Sequence, residues 1–261
     1  MLKTRTGRIL RHTFSRLLLR TVRRNTIRKV EMDQCVNPFG LSFGQDGWHF
    51  LVEYLRELHF THTLSLNESI LYHYHKQYQP VSMKELVTSA GMHVEFDPGF
   101  LRYPWGNFKT DFDHRLAEKD RFRSRFCGPS DDELIKAEAR NLVELRDYMK
   151  CTGYNPWKSP YGFIGGVFLV KENADYRFVI LQGNHRVSVM SYLGIKCFEV
   201  RFLPYHFHYI DQKDIDEWYY VKRGICTRQD ARKYFDAFFI LNGKERASSF
   251  CNIDGTKKDN N

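Results

Sequence analysis

The stretch VILQGNHRVSVMSYLGIKCFEVRFLP, residues 179–204, decides the fold. Its opening VIL closes the run YRFVIL (176–181), whose aromatic and β-branched side chains read as a strand. Gly183 ends that strand, and NHRVSVMSYLG then changes to helical periodicity, with Val187, Met190 and Leu193 facing inward until Gly194 stops it. A further strand, KCFEVRF (196–202), follows at once. Strand, helix and strand succeed one another with almost no loop, so the helix must start abruptly at the edge of a sheet.

Working outward, the polar turn KENAD (171–175) joins YRFVIL to GFIGGVFLV (162–170), a second strand candidate in hairpin order. Upstream of the Pro156 and Pro160 turns, Ser130 and Glu133 have the spacing of a capping box. Leu134, Ala137, Leu142, Leu145 and Met149 then predict a helix that ends at Gly153. The order is helix, strand, strand, helix, strand.

The first turn of a helix exposes unpaired backbone N–H groups and the positive end of its dipole, which suits a phosphate. Gly183 permits close backbone approach, and His185 and Arg186 add side-chain donors to the same turn. Gly183, Asn184, His185 and Arg186 are therefore the candidate phosphate-binding residues. The plain alternative is a strand-to-helix turn with an incidental buried His and a surface Arg. Asp131, Asp132 and Glu133 could by type serve as metal-binding or basic carboxylates, but acids also gather at helix starts for dipole reasons alone. No catalytic base is assigned.

On these residues, Gly128–Pro204 resembles the ParB/sulfiredoxin-like domain: a strand, then G-x-H/R-R, a helix ending in LG, and a strand. The preceding helix and YMKCTGYNP turn fall in the family order. The resemblance covers about a third of the chain. It implies a small sheet-and-helix fold and a nucleotide (ATP, ADP or CTP, with Mg²⁺) bound by its phosphates at Gly183, Asn184, His185 and Arg186. Asn184 stands where sulfiredoxins carry the reactive Cys, which argues against sulfinic-acid repair. It also departs from the Gly-His-His-Arg turn of the related free-serine kinases. The phrase ENADYR looks like a ParB nucleotide-contact motif but lies in a hairpin turn ahead of the helix, where that motif does not belong. Fewer than 60 residues follow Pro204, without the helix-turn-helix modules of DNA-loading ParB proteins, which argues against specific DNA binding.

The rest of the chain is helical or loop-rich. NPFGL (37–41) reads as a linker, Trp48–Leu58 as a helix, and ILYHYHKQYQP as another, capped near Asn67 and stopped by Pro80. A further helix is predicted at Ser82–Thr88. His73 and His75, two apart, point about 200° away from each other on a helix and cannot share a metal; each reads as a packing or surface residue. Residues 96–129 form a loop-rich connection, either a lid or a surface loop whose Phe100, Tyr103 and Trp105 pack on the body. Helical patterns return at Asp214–Tyr220 and Arg228–Phe239, with Trp218, Tyr219 and Phe238 expected in the core and a frayed tail from Gly243.

Residues 1–30 hold ten Lys or Arg and no acid, and so account for the whole net charge of +9. Arg8–Arg24 reads as an amphipathic helix, with Leu10, Phe14, Leu17, Leu18 and Val22 on one face and arginines opposite. Such a helix suits an anionic membrane surface. A basic arm gripping nucleic acid, a helix docked on the body and an organellar transit peptide stand as alternatives. Cysteines 35, 127, 151, 197, 226 and 251 show no CxxC pair or zinc spacing, so reduced thiols and no metal are expected. No apolar run is long enough to span a bilayer, and no secretory signal is legible, which predicts a cytoplasmic protein, peripheral at the inner face of the membrane.

The expected architecture is α+β: a basic N-terminal helix (1–36), a helical and loop-rich lobe (37–125), the ParB/sulfiredoxin-like domain (126–204) and a helical C-terminal extension (205–261). The expected function is nucleotide binding, with phosphotransfer or nucleotide hydrolysis near the membrane surface. A non-enzymatic nucleotide-sensing or DNA-associated adaptor is the alternative.

Overall fold

The computed structural model describes residues 27–61, 63–106, 127–159, 162–202 and 208–250. Strands β1 (Ile27–Glu31) and β2 (Cys35–Val36) come first, joined by a 3-10 turn over Met32–Gln34. Helices α1 (Phe50–Phe60), α2 (Ile70–Gln77) and α3 (Lys84–Ser89) follow. The long helix α4 (Asp132–Thr152) leads into β3 (Ile164–Val170), β4 (Tyr176–Gln182), α5 (Asn184–Tyr192) and β5 (Cys197–Phe202). The C-terminal part holds β6 (Tyr209–Asp211), a 3-10 stretch over Gln212–Glu217, and helices α6 (Tyr219–Lys222), α7 (Arg228–Ile240) and α8 (Lys244–Phe250). Helices packed on a mixed sheet make the α+β fold that the sequence predicts.

GGVFLV is apolar at every position, as suits a strand covered on both faces, and β3 is the middle strand. The sheet order is β1-β5-β3-β4-β2. β3 and β4 form the expected antiparallel hairpin, with Phe168 opposite Phe178. β5 returns parallel to β3 along Ile164–Gly166, and β6 takes up the same edge along Phe168–Val170. The register shifts between Gly165 and Gly166, where a Cβ on Gly166 would stand 2.2 Å from the carbonyl oxygen of Val179. Only glycine lets the two strands approach there.

Several elements differ from the sequence reading. β1 and β2, within the segment read as a basic helix, close the two edges of the sheet: β1 pairs antiparallel with β5, and β2 parallel with β4. Two short strands without strong periodicity form here because the sheet supplies their partners. The cap of α4 is Asp131, whose carboxylate accepts from the Leu134 amide at 2.7 Å, and not Ser130. The buried face keeps Leu142 and Met149 from the expected stripe and differs from it in the first turns. Ile135, Ala139, Leu142 and Met149 are buried, while Leu134 is left exposed. Ser69, not Asn67, caps α2, after a 3-10 turn over Leu66–Glu68. The helix expected over Asp214–Tyr220 is instead the 3-10 stretch followed by the single turn of α6.

One connected core runs from Val30 to Ala247. Tyr103 and Trp105 stack at 5.0 Å between ring centres, and Trp105 meets Trp218, Phe235 and Phe238. That part of the 96–129 connection is thus packed on the body, each large apolar side chain contributing about 1.5–3 kcal/mol. Trp218 and Phe238 are in the core as expected, but Tyr219 is exposed. Among the described residues no helix is long and apolar enough to cross a membrane. The basic amphipathic helix expected over 8–24, the charged stretch 107–126 and the end of the tail lie outside the described residues.

Candidate functional site

β4 ends at Gln182, and Gly183 turns the chain with φ 102° and ψ 24°, a left-handed conformation that favours glycine. A Cβ there would stand 2.9 Å from Arg186 Nη2 and 3.0 Å from Ile164 Cγ1, so space as well as conformation demands glycine. α5 begins on Gly183, which has no side chain to cap it, so the positive end of its dipole carries no cap from its own N-cap residue. Asn184 Oδ1 is buried there without a hydrogen-bond partner. A half-turn of that amide would present Nδ2 as a donor in the same place. An orphaned polar atom at an uncapped helix start fits an anion or the donors that travel with one.

Arg186 is 7% exposed. Its guanidinium lies against Gly183 and donates through Nη1 to the carbonyl oxygen of Gly162 and through Nη2 to that of Phe163 at 3.4 Å. Part of the fork expected to hold phosphate thus ties α5 to the lead-in of β3. The same side chain walls a cleft of about 270 Å³ against the C-terminal end of α4.

α5 packs against both α1 and α4, and that packing brings His185 to Glu138. His185 Nε2 lies 3.1 Å from Glu138 Oε1, the imidazole 44% exposed and the carboxylate 14%. The other oxygen, Oε2, lies 3.1 Å from Nε2 of His75 on α2, whose side chain is 1% exposed. This second contact has the distance of an ion pair but not the angle of a hydrogen bond. His75 Nδ1 faces Ser130 Oγ at 3.3 Å. One carboxylate therefore sits between a buried and a half-exposed imidazole.

Burial alone would raise the Glu138 carboxyl, yet the hydrogen bond with His185 and the charge attraction of both imidazoles outweigh it and hold the pKa at about 2. Glu138 is ionised at neutral pH and accepts the Nε2 proton of His185, which leaves Nδ1 as the ring nitrogen not engaged by the carboxylate. A carboxylate that fixes the tautomer and direction of a half-exposed imidazole is the arrangement of a general acid or base. His49, close by, is of another kind. It caps α1, its Nδ1 accepting from the Leu51 amide at 3.3 Å, and it stacks on Phe43 at 4.2 Å. Burial first, then repulsion from His185, lower its pKa to about 3, so it stays neutral.

Gly183, Asn184, His185 and Arg186 thus form one turn, as their succession in the chain requires. Asp131, Asp132 and Glu133 are not part of it: Asp131 is a cap, Asp132 pairs with Lys76 at 2.8 Å and Glu133 with Lys136 at 2.9 Å. His73 is half-buried and His75 fully buried, and His75 is a partner of Glu138 rather than a simple packing residue. Sequence reasoning missed Glu138, 47 positions before His185. A signal existed, since Glu138 falls on the same helical face as Ile135, Ala139 and Leu142, and an acid on an apolar stripe is seldom buried without a partner. Among the described residues, no group of three or more His, Cys, Asp or Glu side chains could hold a metal ion. Comparison of the chain with protein-family models, curated proteins and solved structures finds no match.

Proposed function

We propose that this chain binds a nucleotide, ATP, ADP or CTP, by its phosphates at the start of α5, and that it transfers or hydrolyses a phosphoryl group there. The observation that carries the reading is His185, locked by an ionised, buried Glu138, on the first turn of an uncapped helix opened by Gly183. Phosphoryl transfer depends mainly on positioning and charge, and amides, an oriented imidazole and a nearby guanidinium supply both. The ParB/sulfiredoxin-like resemblance of GNHR supports the same assignment. When bound, Mg²⁺ would neutralise phosphate charge, coordinated by the phosphates and water more than by this chain's side chains. The role of this chain's residues is to seat the phosphates on the α5 amides and to hold or move a proton at His185 Nδ1. We also place the protein at the inner face of the membrane, through the ten basic residues of 1–30.

The test is the thermal shift of the full chain with ATP, ADP or CTP and Mg²⁺, together with phosphate release. Ligand at a hundred times its Kd stabilises by about 2.7 kcal/mol. An unchanged Tm with all three nucleotides removes the reading. Binding without phosphate release or labelling of any acceptor selects the adaptor alternative. For the membrane, flotation with anionic liposomes should be lost when residues 1–30 are deleted.

A further inference from the structure

A cleft of about 270 Å³ opens between the C-terminal end of α4, the loop 153–159 and Arg186. Its volume is just under the range of pockets that bury a drug-sized ligand, which suits one ring system with its substituents. The walls are of two kinds. Leu145 and the buried Met149 give an apolar floor, and Tyr148, 49% exposed, gives a free ring face. Asn155 Oδ1 accepts from the Trp157 and Lys158 amides at 3.2 Å, which leaves its Nδ2 hydrogens for another acceptor. Lys158 is exposed and enters no ion pair among the described residues.

The position of the cleft links it to the helix start. Arg186 belongs to the first turn of α5 and is at the same time a wall of the cleft. Leu145 lies two turns along α4 from Glu138, the partner of His185, roughly 10 Å at 1.5 Å per residue. A ligand with an anionic end at α5 and a flat, hydrogen-bonding end at Tyr148 would span the two.

We propose that the cleft holds the nucleoside, base and ribose, of the nucleotide whose phosphates lie at the start of α5. This inference rests on the nucleotide reading of that helix start. Tyr148 stacks on the base, Leu145 and Met149 exclude water from its other side, and Asn155 and Lys158 donate to its polar edge or to the ribose.

The experiment compares ATP, CTP and inorganic tripolyphosphate by calorimetric titration of the full chain, then repeats it with Leu145→Trp, which fills the cleft, and Tyr148→Ala. A stacked base strengthens binding by about tenfold or more. At least one nucleotide should therefore bind about tenfold more tightly than tripolyphosphate, and both variants should reduce that advantage while still binding tripolyphosphate. If Leu145→Trp does not fold, Tyr148→Ala carries the test, because its ring is half exposed and its loss leaves no core cavity. Equal binding of nucleotide and tripolyphosphate, or an advantage that survives Tyr148→Ala, overturns the cleft assignment and leaves the phosphate site standing. Failure of all three ligands to bind the unmodified chain overturns both.

Discussion

Glu138→Gln keeps the shape of the side chain and removes the charge that His75 and His185 share. In the folded chain, burial tends to raise the Glu138 carboxyl, but the two imidazoles bring it from the usual 4.5 down to about 2. At about 1.4 kcal/mol for each pH unit, that depression is worth about 3 kcal/mol of stability. The sign follows from proton binding. The unfolded chain takes up this proton near 4.5 and the folded chain only near 2, so the contribution is complete above about pH 5 and is lost as the pH falls towards 2. Urea unfolding of both proteins, followed by tryptophan fluorescence from pH 7 to pH 2, measures the difference directly. At pH 7 the variant should be about 3 kcal/mol less stable, a fall of roughly 6–12 °C in Tm for a chain of this size. The gap should close between pH 5 and pH 2. A gap that is absent at pH 7, or constant across the whole range, would refute the assignment of Glu138 as the shared ionised partner.

Gly183→Ala forces a left-handed φ of 102° on a residue with a Cβ and drives that Cβ to 2.9 Å from Arg186, so it should cost about 1–3 kcal/mol; an unchanged Tm would contradict the turn geometry. Arg186→Lys keeps the charge but not the fork that reaches two carbonyls, and should lower stability by about 1–3 kcal/mol in thermal unfolding even without ligand. An effect seen only when nucleotide is present would mean that the side chain belongs to the ligand alone. His49, neutral down to about pH 3, should show no ring titration by NMR between pH 8 and pH 5. Its folded pKa is below that of the free ring, so the unfolded chain binds its proton first and stability declines as the pH drops below about 6.5. A midpoint above pH 5 would place His49 outside the core.

The order of elements from residue 130 to 202 could be read from the sequence because it depends on short-range physics. Period-2 and period-3.6 apolar patterns, a carboxylate ahead of a helix and glycines at both ends of NHRVSVMSYLG act over a few residues. The turn at Gly183, Asn184, His185 and Arg186 was legible for the same reason: a helix start forms wherever a strand is broken by glycine and followed by helical periodicity. Even the difference at the α4 cap is local in kind, since Ser130 and Asp131 both suit an N-cap, and in the fold Asp131 caps the helix while Ser130 is engaged with His75 and Lys76.

What only the tertiary structure decided involves partners far apart in the chain. β1 is too polar and β2, at two residues, too short to announce themselves, and they exist because β5 and β4 offer unpaired edges. The character of His185 was equally hidden. Nothing near it in sequence distinguishes an imidazole held by a carboxylate from an unpaired one; that depends on Glu138, 47 residues away, brought to 3.1 Å by the packing of α5 on α4. Arg186 illustrates the converse, a donor expected to face phosphate whose fork the fold turns in part to the carbonyls ahead of β3. Local sequence determines where a helix begins and which donors stand on its first turn, whereas burial and long-range pairing determine which of those donors remain available and in what charge state.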